Sequence, residues 1–449
     1  MNTRNRTFSW PALSLLTIVA LLLAACGGAA TTAAPTAAPT AAPASTEAPT
    51  AAPTAVPPTL EPTPGSPITV GLMTDDSGAL AIYGPMLERG WELGLEYATN
   101  GTGQVAGHPI NTVIKDTAST PDTGVSLARE AIEKDGAQVL VGSPSSSVAL
   151  AISGVANENK IIYIAAPAAS PDITGKAFNV YTFRAGRTSV QDALTMGAAL
   201  VKQGKNFVQI APDNAFGKGS AAGFYGVVKG AGGSFTINDT PEGAGAIFVP
   251  LETTDFTAFL NQVLDAQAEV LIVTWAGTGF VPLFQQMQQL GILDSMVVAT
   301  GMGDNQTMAA GYADAIGSQG VSVYHYSLFD NPVNNWLVEK HEAKYGTPPD
   351  LFTESGFNAA IMLVKALEAA NGDPSADGMI AALEGMTFDG PKGAYTIRAE
   401  DHVLLQPMTL VKLKNTTDPD FKFFDLMTLF APEDTAPACA VPADQNRCK

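Results

Sequence analysis

The feature that most constrains this chain is an alternation of short apolar runs with longer amphipathic segments, repeated in two rounds. The first round has strands expected at 68–73 and 110–115 and short apolar runs at 137–142 and 161–165. Between them lie helical patterns at 85–98, 122–134 and 146–158. In the first of these, Leu87, Trp91 and Leu95 recur at helical spacing on one face. The pattern restarts after Arg184, with strands expected at 206–211, 234–238, 269–274 and 296–300. Helices are expected at 189–202, 219–229, 255–266 and 281–290. Short apolar runs suit strands buried on both faces of a parallel sheet. Repeated strand–helix units with short connections predict an α/β fold of doubly wound parallel sheets. Two rounds predict two lobes, with ligand bound at the carboxyl ends of the strands, facing the cleft between them.

The N-terminal part reads differently. Arg4 and Arg6 precede an apolar stretch over 12–23, a secretory signal pattern that is shorter than a membrane span needs. It ends in Leu23-Ala24-Ala25-Cys26-Gly27, which resembles a bacterial lipobox. In such signals the Cys becomes the lipid-carrying first residue; an ordinary signal peptide with a chance Cys is the alternative. Residues 1–26 are therefore expected to be a lipoprotein signal peptide, and the mature protein to be anchored to a membrane, not threaded through it. Residues 27–66 are nearly all Ala, Thr and Pro. They offer little to bury, and their prolines favour an extended tether that at roughly 3 Å per residue reaches on the order of 100 Å.

Of the 449 residues, those from 67 to 430 suffice for two domains with cores of their own. A formal net charge of -19 argues against nucleic acid and against anionic membrane surfaces as partners. Besides Cys26, the cysteines are Cys439 and Cys448, in what reads as a polar C-terminal tail over 431–449. In an oxidising compartment these two either close a small disulfide loop or remain free thiols. No Cys/His spacing suggests a metal site, and no cofactor is expected.

Two strand-to-loop junctions are candidate binding elements. One run leads into Gly142-Ser143-Pro144-Ser145-Ser146-Ser147 and then a helix. Free amides at that helix start and the hydroxyls beside them suit a carboxylate, although Ser145 or Ser146 capping the helix explains the serines alone. A second junction, Ala165 to Pro171, is expected beside the first, and the pair favours binding. The loop from Asp75 to Gly84 is placed to bring Tyr83 over the same cleft.

These elements carry a resemblance. Ser77-Gly78 through Tyr83-Gly84, the Gly142-to-Ser147 loop, Phe183-Arg184, Asp213 through Gly219, Thr254-Asp255-Phe256 and Gly393 through His402 occur in an order and spacing similar to one family. Over nearly all of 67–414 the chain resembles the type I periplasmic binding proteins of branched-chain amino acid ABC transporters. The resemblance implies that Ser146 and Ser147 hold a ligand carboxylate, with contacts from Ala168, Ser170 and Tyr83. In the second lobe Phe216 stands where the family commonly has Tyr, keeping the stacking face without the hydroxyl. The acidic partner of a ligand ammonium falls near Thr300 or Gly301, where no carboxylate stands; the nearest is Asp304. Either Asp304 reaches in or the ligand is not a standard α-amino acid, because a buried ammonium without a partner is costly. The family also includes receptors resembling amide, urea and aromatic-acid binders.

The resemblance further implies three crossings between lobes, expected near Gly186, Tyr326 and Gly390. This gives lobe 1 as 67–186 plus 327–389 and lobe 2 as 187–326 plus 390–430, with strands at 394–398 and 409–413 completing lobe 2. The implied function is solute capture and delivery to an ABC permease. A ligand sensor signalling to a membrane partner would use the same fold. Catalysis is not expected: Gly217-Lys218-Gly219-Ser220 lacks phosphate-loop spacing, the serines form no nucleophile elbow, and His108, His325, His341 and His402 are scattered.

Overall fold

The computed structural model describes residues 65–448; the signal pattern, Cys26 and all but the end of the tether lie outside the described residues. The first round of the alternation folds into one sheet of the four expected strands and two short ones not foreseen, at 104–105 and 182–184. Strands Ile68–Thr74 (β1), Gln104–Val105 (β2), His108–Asp116 (β3), Val139–Gly142 (β4), Ile162–Ala165 (β5) and Thr182–Arg184 (β6) form one sheet in the order β2-β3-β1-β4-β5-β6. All neighbours are parallel except the short β2, which pairs antiparallel with β3. Helices Gly84–Ala98 (α1), Pro121–Glu133 (α2) and Ser146–Asn159 (α3) connect the strands. Val139, Leu140 and Val141 are fully buried, because this central strand is covered on both faces.

The second sheet follows helix Ser189–Leu200 (α4). Its strands are Asn206–Pro212 (β7), Ser234–Phe235 (β8), Ala246–Val249 (β9), Val270–Val273 (β10) and Val297–Thr300 (β11), in the order β11-β10-β7-β8 with β9 also on β7. Helices Ala215–Gly230 (α5), Thr257–Asp265 (α6), Phe280–Gln289 (α7), Ile292–Ser295 (α8) and Asn305–Gly311 (α9) accompany it. The strand expected over 234–238 ends at Phe235. β9, which was not foreseen, takes over the pairing with β7 farther along.

From Gln319–Ser322 (β12) the chain returns to the first lobe as helices Pro332–Tyr345 (α10), Thr353–Ala369 (α11) and Ala376–Leu383 (α12). Helix α11 lies against α1 with backbones nearly touching. A Cβ on Gly90 would fall 2.0 Å from the Thr353 carbonyl oxygen, and one on Gly356 would fall 2.3 Å from that of Leu87. Glycine at both positions is what allows this approach.

The remaining strands correct the expected lobe boundary. Thr387–Gly390 (β13), Gly393–Ile397 (β14) and Leu404–Leu405 (β15) form a small antiparallel sheet. Phe388, Tyr395, Ile397 and Leu404 enter the core built on Ile68, Val70, Leu87 and Trp91, so the hairpin belongs with the first lobe and not, as expected, with the second. The third crossing therefore follows Leu405, not Gly390. Met408–Leu413 (β16) then pairs with β12 in the second lobe, and Phe424–Phe430 (β17), also unforeseen, pairs with β16.

The second and third crossings are joined by a buried ion. The Lys392 ammonium donates to the carbonyl of Val323 at 3.0 Å and to the Gln406 side chain at 2.5 Å, with Glu354 3.8 Å away. Glu354 also accepts from Asn358 and Tyr395, both at 2.6 Å. Burial pulls the Lys392 pKa down and the Glu354 charge raises it. His402 stacks on Phe183 at 3.8 Å and bonds to Thr182 and Glu384.

The C-terminal segment is no loose tail. Cys439 and Cys448 form a disulfide, with Cα atoms 5.6 Å apart, and Thr435 and Val441 are buried. Among the described residues, no helix is long and apolar enough to cross a membrane.

Candidate functional site

The carboxyl end of β1 delivers Asp75, a buried carboxylate that organises the loops around it. It accepts from the Ser119 amide at 2.9 Å, the Ser145 amide at 3.1 Å and the hydroxyls of Thr117 and Ser143. Burial raises its pKa, and these donors act in the opposite direction. Ser145 caps α3, accepting from the Val148 amide at 3.5 Å. Ser146 Oγ accepts from the amides of both Ala169 and Ser170 at 3.1 Å, which ties the two strand-end loops together. A hydroxyl that accepts twice still has its own proton to donate. Beside it, the first amides of α3 have no intrahelical acceptor, as at any helix start.

The other expected carboxylate contacts also make bonds within the protein. Ser147 Oγ accepts from the Ala215 amide at 3.4 Å, a bond from one lobe to the other. Ser170 Oγ accepts from the Asp172 amide. The carbonyls of Ala168 and Ser170 accept from Arg184, which is fully buried and whose pKa burial pulls down to about 9. That explains the Phe183-Arg184 motif as an anchor for the second loop.

Two small adjoining cavities lie between the lobes. One, of about 40 Å³, is lined by Ser145, Ser146, Pro167, Ala169 and Asn214. The other, of about 80 Å³, is lined by Trp275, Phe280, Met302, Asp304 and Tyr312 among others. Tyr83, Arg187, Phe216, Ala276 and Phe352 line both. A wider depression, of about 710 Å³, is an open groove by Tyr97, Trp336 and Lys340, remote from the strand ends.

Tyr83 meets Phe352 edge-on, with ring centroids 4.7 Å apart, and its hydroxyl accepts from the Gly277 amide of the second lobe at 2.9 Å. Burial raises its pKa above the ordinary tyrosine value. Gly277 has φ +79°, and a Cβ there would fall 2.2 Å from the Ala79 carbonyl oxygen, so the lobes meet backbone to backbone. The Thr278 amide donates to Ala79, and the Asn305 amide to the Asp350 carboxylate at 3.1 Å. These bonds hold the cleft closed.

Asp304 caps α9, its Oδ1 accepting from the Thr307 amide at 3.0 Å. Its Oδ2 is buried and has no hydrogen-bond partner among the described residues. Thr300 does not share the cavity; its hydroxyl donates to the Gly301 carbonyl and it lines a separate pocket near Gln203 and Phe284.

Arg187 was not anticipated. It follows the first crossing, lies 5.7 Å from the Phe352 ring centroid, and donates to Asp192 at 3.3 Å and to the Pro167 carbonyl at 3.4 Å. Five N–H groups leave it donors to spare. A lone Arg in a loop gives no periodic signal, and only its place after the first crossing could have drawn notice. The site thus offers donors at one end, an aromatic wall, and an unpartnered acceptor at the other.

Known proteins share this architecture. An ABC-type branched-chain amino acid transporter protein from Rhodopseudomonas palustris is 35% identical, with a TM-score of 0.69, covering 84% of this chain and 100% of that one. The Leu/Ile/Val-binding protein BraC3 of Rhizobium johnstonii is 25% identical over 322 residues, 71% of this chain and 83% of its own. An R. palustris solute-binding protein solved with benzoate has a TM-score of 0.71 at 24% identity, covering 82% of this chain and 97% of that one; it shows likeness of fold. The model of the periplasmic binding proteins matches residues 67–418, which take in both sheets and the first three crossings, and the chain belongs to that family.

Proposed function

We propose that this protein captures a small amino acid between its lobes and delivers it to an ABC permease from a lipid anchor at Cys26. Family membership brings a solute-binding, non-catalytic role outside the cytoplasm. The observation that carries the choice of ligand is Asp304 Oδ2, a buried acceptor without a partner among the described residues, on a side chain that lines a cavity with Arg187. A buried carboxylate oxygen left unpaired is costly, and a ligand ammonium would satisfy it. The ligand carboxylate would then meet the start of α3, the Ser146 hydroxyl and Arg187. Tyr83, Phe216 and Phe352 would enclose its apolar part. Ala168, Ser170 and Ser147 support the loops in this reading, and Thr300 takes no part.

Closure follows from bonds made by both lobes. A ligand that bridges them favours the closed state by its difference in affinity for closed over open. The permease would read the closed form.

A second reading, an aromatic acid, is favoured by the ring-lined cavity and Arg187. It is the ligand type bound by the benzoate-bound relative. A sensor that passes closure to a signalling partner would use the same site.

Thermal shift of the full chain against leucine, isoleucine, valine, benzoate, acetamide and urea tests the reading. A shift with one or more of the amino acids is expected; a shift with benzoate alone would transfer the assignment to aromatic acids. No shift with any solute would overturn solute capture. Cys26→Ala should release the protein from the membrane fraction, and continued tight association would sink the anchor.

A further inference from the structure

The chain passes between the lobes not three times but four. After β17, which belongs to the second lobe through its pairing with β16, the chain runs back to the first lobe and docks there. Arg398, on the β14–β15 connection, donates to the Pro437 carbonyl at 2.8 Å. Gln445 donates to the Phe178 carbonyl at 3.2 Å. Arg447 donates to the Glu400 carbonyl at 2.8 Å, pairs with Glu384, and lies 5.0 Å from the Phe178 ring centroid. Burial of Thr435 and Val441 shows that the segment is packed, not laid on the surface.

The physical consequence lies in chain length. Only residues 431–436 separate the end of β17 from the first anchored carbonyl, Pro437. Part of that slack is taken up by a turn in which the Asp434 carboxylate accepts from the Ala431 amide at 3.0 Å. A segment of that length spans at most about 3.3–3.6 Å per residue when fully extended. A movement of the lobes that separates Phe430, paired with Met408 beside the third crossing, from Pro437 by more than this slack must therefore unwind the turn or lift the docked end from the first lobe. The Cys439–Cys448 bond closes the docked end into a small ring that presents Arg447. A cross-link of this kind removes conformations from the detached segment and so favours the docked one.

We propose that residues 431–448 form a strap, closed on itself by the disulfide, that ties the second lobe to the first and restrains opening of the cleft. Reduction of the bond loosens the strap and shifts the protein toward the open state.

Hydrogen exchange on the full chain without added solute tests this, because four amides report closure directly. Those of Ala215, Gly277, Thr278 and Asn305 all donate across the cleft. In Arg447→Ala, in Cys439→Ser with Cys448→Ser, and in wild type treated with dithiothreitol, their exchange should rise at least about fivefold. Amides of the central strand β4 should keep their wild-type rates. Unchanged exchange of the four amides, with the tail itself deprotected, would overturn the strap. So would a rise that β4 shares in Arg447→Ala, since that marks loss of the fold in general. If the double cysteine variant alone fails to fold, Arg447→Ala decides. The readout needs no ligand, so the outcome stands apart from the assignment of the solute.

Discussion

Asp304→Asn separates the amino-acid reading from its rival, because it should move affinity and stability in opposite directions. The substitution keeps the shape of the side chain and the cap. Asn and Asp are comparable N-caps, so the bond from the Thr307 amide survives. What is lost is the charge, whose Oδ2 end is buried without a partner among the described residues. If a ligand ammonium pairs there, removing one member of a buried charge pair should cost about 2–4 kcal/mol of binding, or about 30- to 1000-fold for leucine. The unliganded protein should instead gain about 1 kcal/mol, as an amide is cheaper to bury than a carboxylate. Loss of a favourable charge at the start of α9 subtracts a few tenths from that gain. Benzoate, which has no ammonium, should bind the variant as well as wild type or better. Isothermal titration with both solutes, alongside urea unfolding without solute, measures all three quantities. Leucine binding at wild-type strength, or equal loss of leucine and benzoate, would refute the pairing.

Three further outcomes are expected. Tyr83→Phe keeps the ring on Phe352 but leaves the Gly277 amide without its acceptor across the cleft, which should weaken ligand binding by about 1–2 kcal/mol in calorimetry. Asp75→Ala strips an acceptor from Ser119, Ser145, Ser143 and Thr117 at once and should lower stability to urea by about 2–4 kcal/mol; a change below about 0.5 kcal/mol would contradict its organising role. Asp350 is pushed up to about 7 from 3.8, by burial first and by the nearby Asp304 charge second. The folded state therefore holds this proton more tightly than the unfolded chain, and the stability it contributes is lost as pH rises from about 4 to 7. Asp350→Asn should gain thermal stability relative to wild type across that window and keep the gain above it; a difference that does not vary with pH would exclude the linkage.

How much of this was legible beforehand differs from element to element. The strands β1, β3, β4, β5, β7, β10 and β11 are short segments, most of them apolar, bounded by turn residues, so their type was legible in the local pattern, whereas the short β2 and β6 gave no such signal. The later hairpin was misassigned. Tyr395 and Ile397 alternate inward as strand residues should, yet that pattern says only that one face is buried, not against which lobe. Both lobes offer apolar surface, and the choice rests on distant contacts with the core around Ile68 and Trp91. Serine hydroxyls show the same limit. The loop at 142–147 reads as a carboxylate site beside the second junction, but which hydroxyl meets which segment is not legible: Ser146 reaches Ala169 and Ser170, while Ser147 reaches Ala215. Arg187 was invisible because no local pattern distinguishes an Arg that enters a cleft from one that faces water.

What the sequence by itself determined is the class of fold, the count of two lobes and the cleft-facing strand ends, because the period of apolar burial and the placement of turn residues are local properties. The tertiary structure alone decided which polar groups are left to meet a ligand. Amides from across the cleft engage Ser147 and the Tyr83 hydroxyl, the Asp172 amide engages Ser170, and Asp304 Oδ2 is left unpaired among the described residues. It alone also showed the fourth passage between lobes. A Pro- and Asp-containing tail carries no apolar period, and its docking depends on Arg447, Gln445 and the Pro437 carbonyl finding partners set more than 35 residues away in the chain.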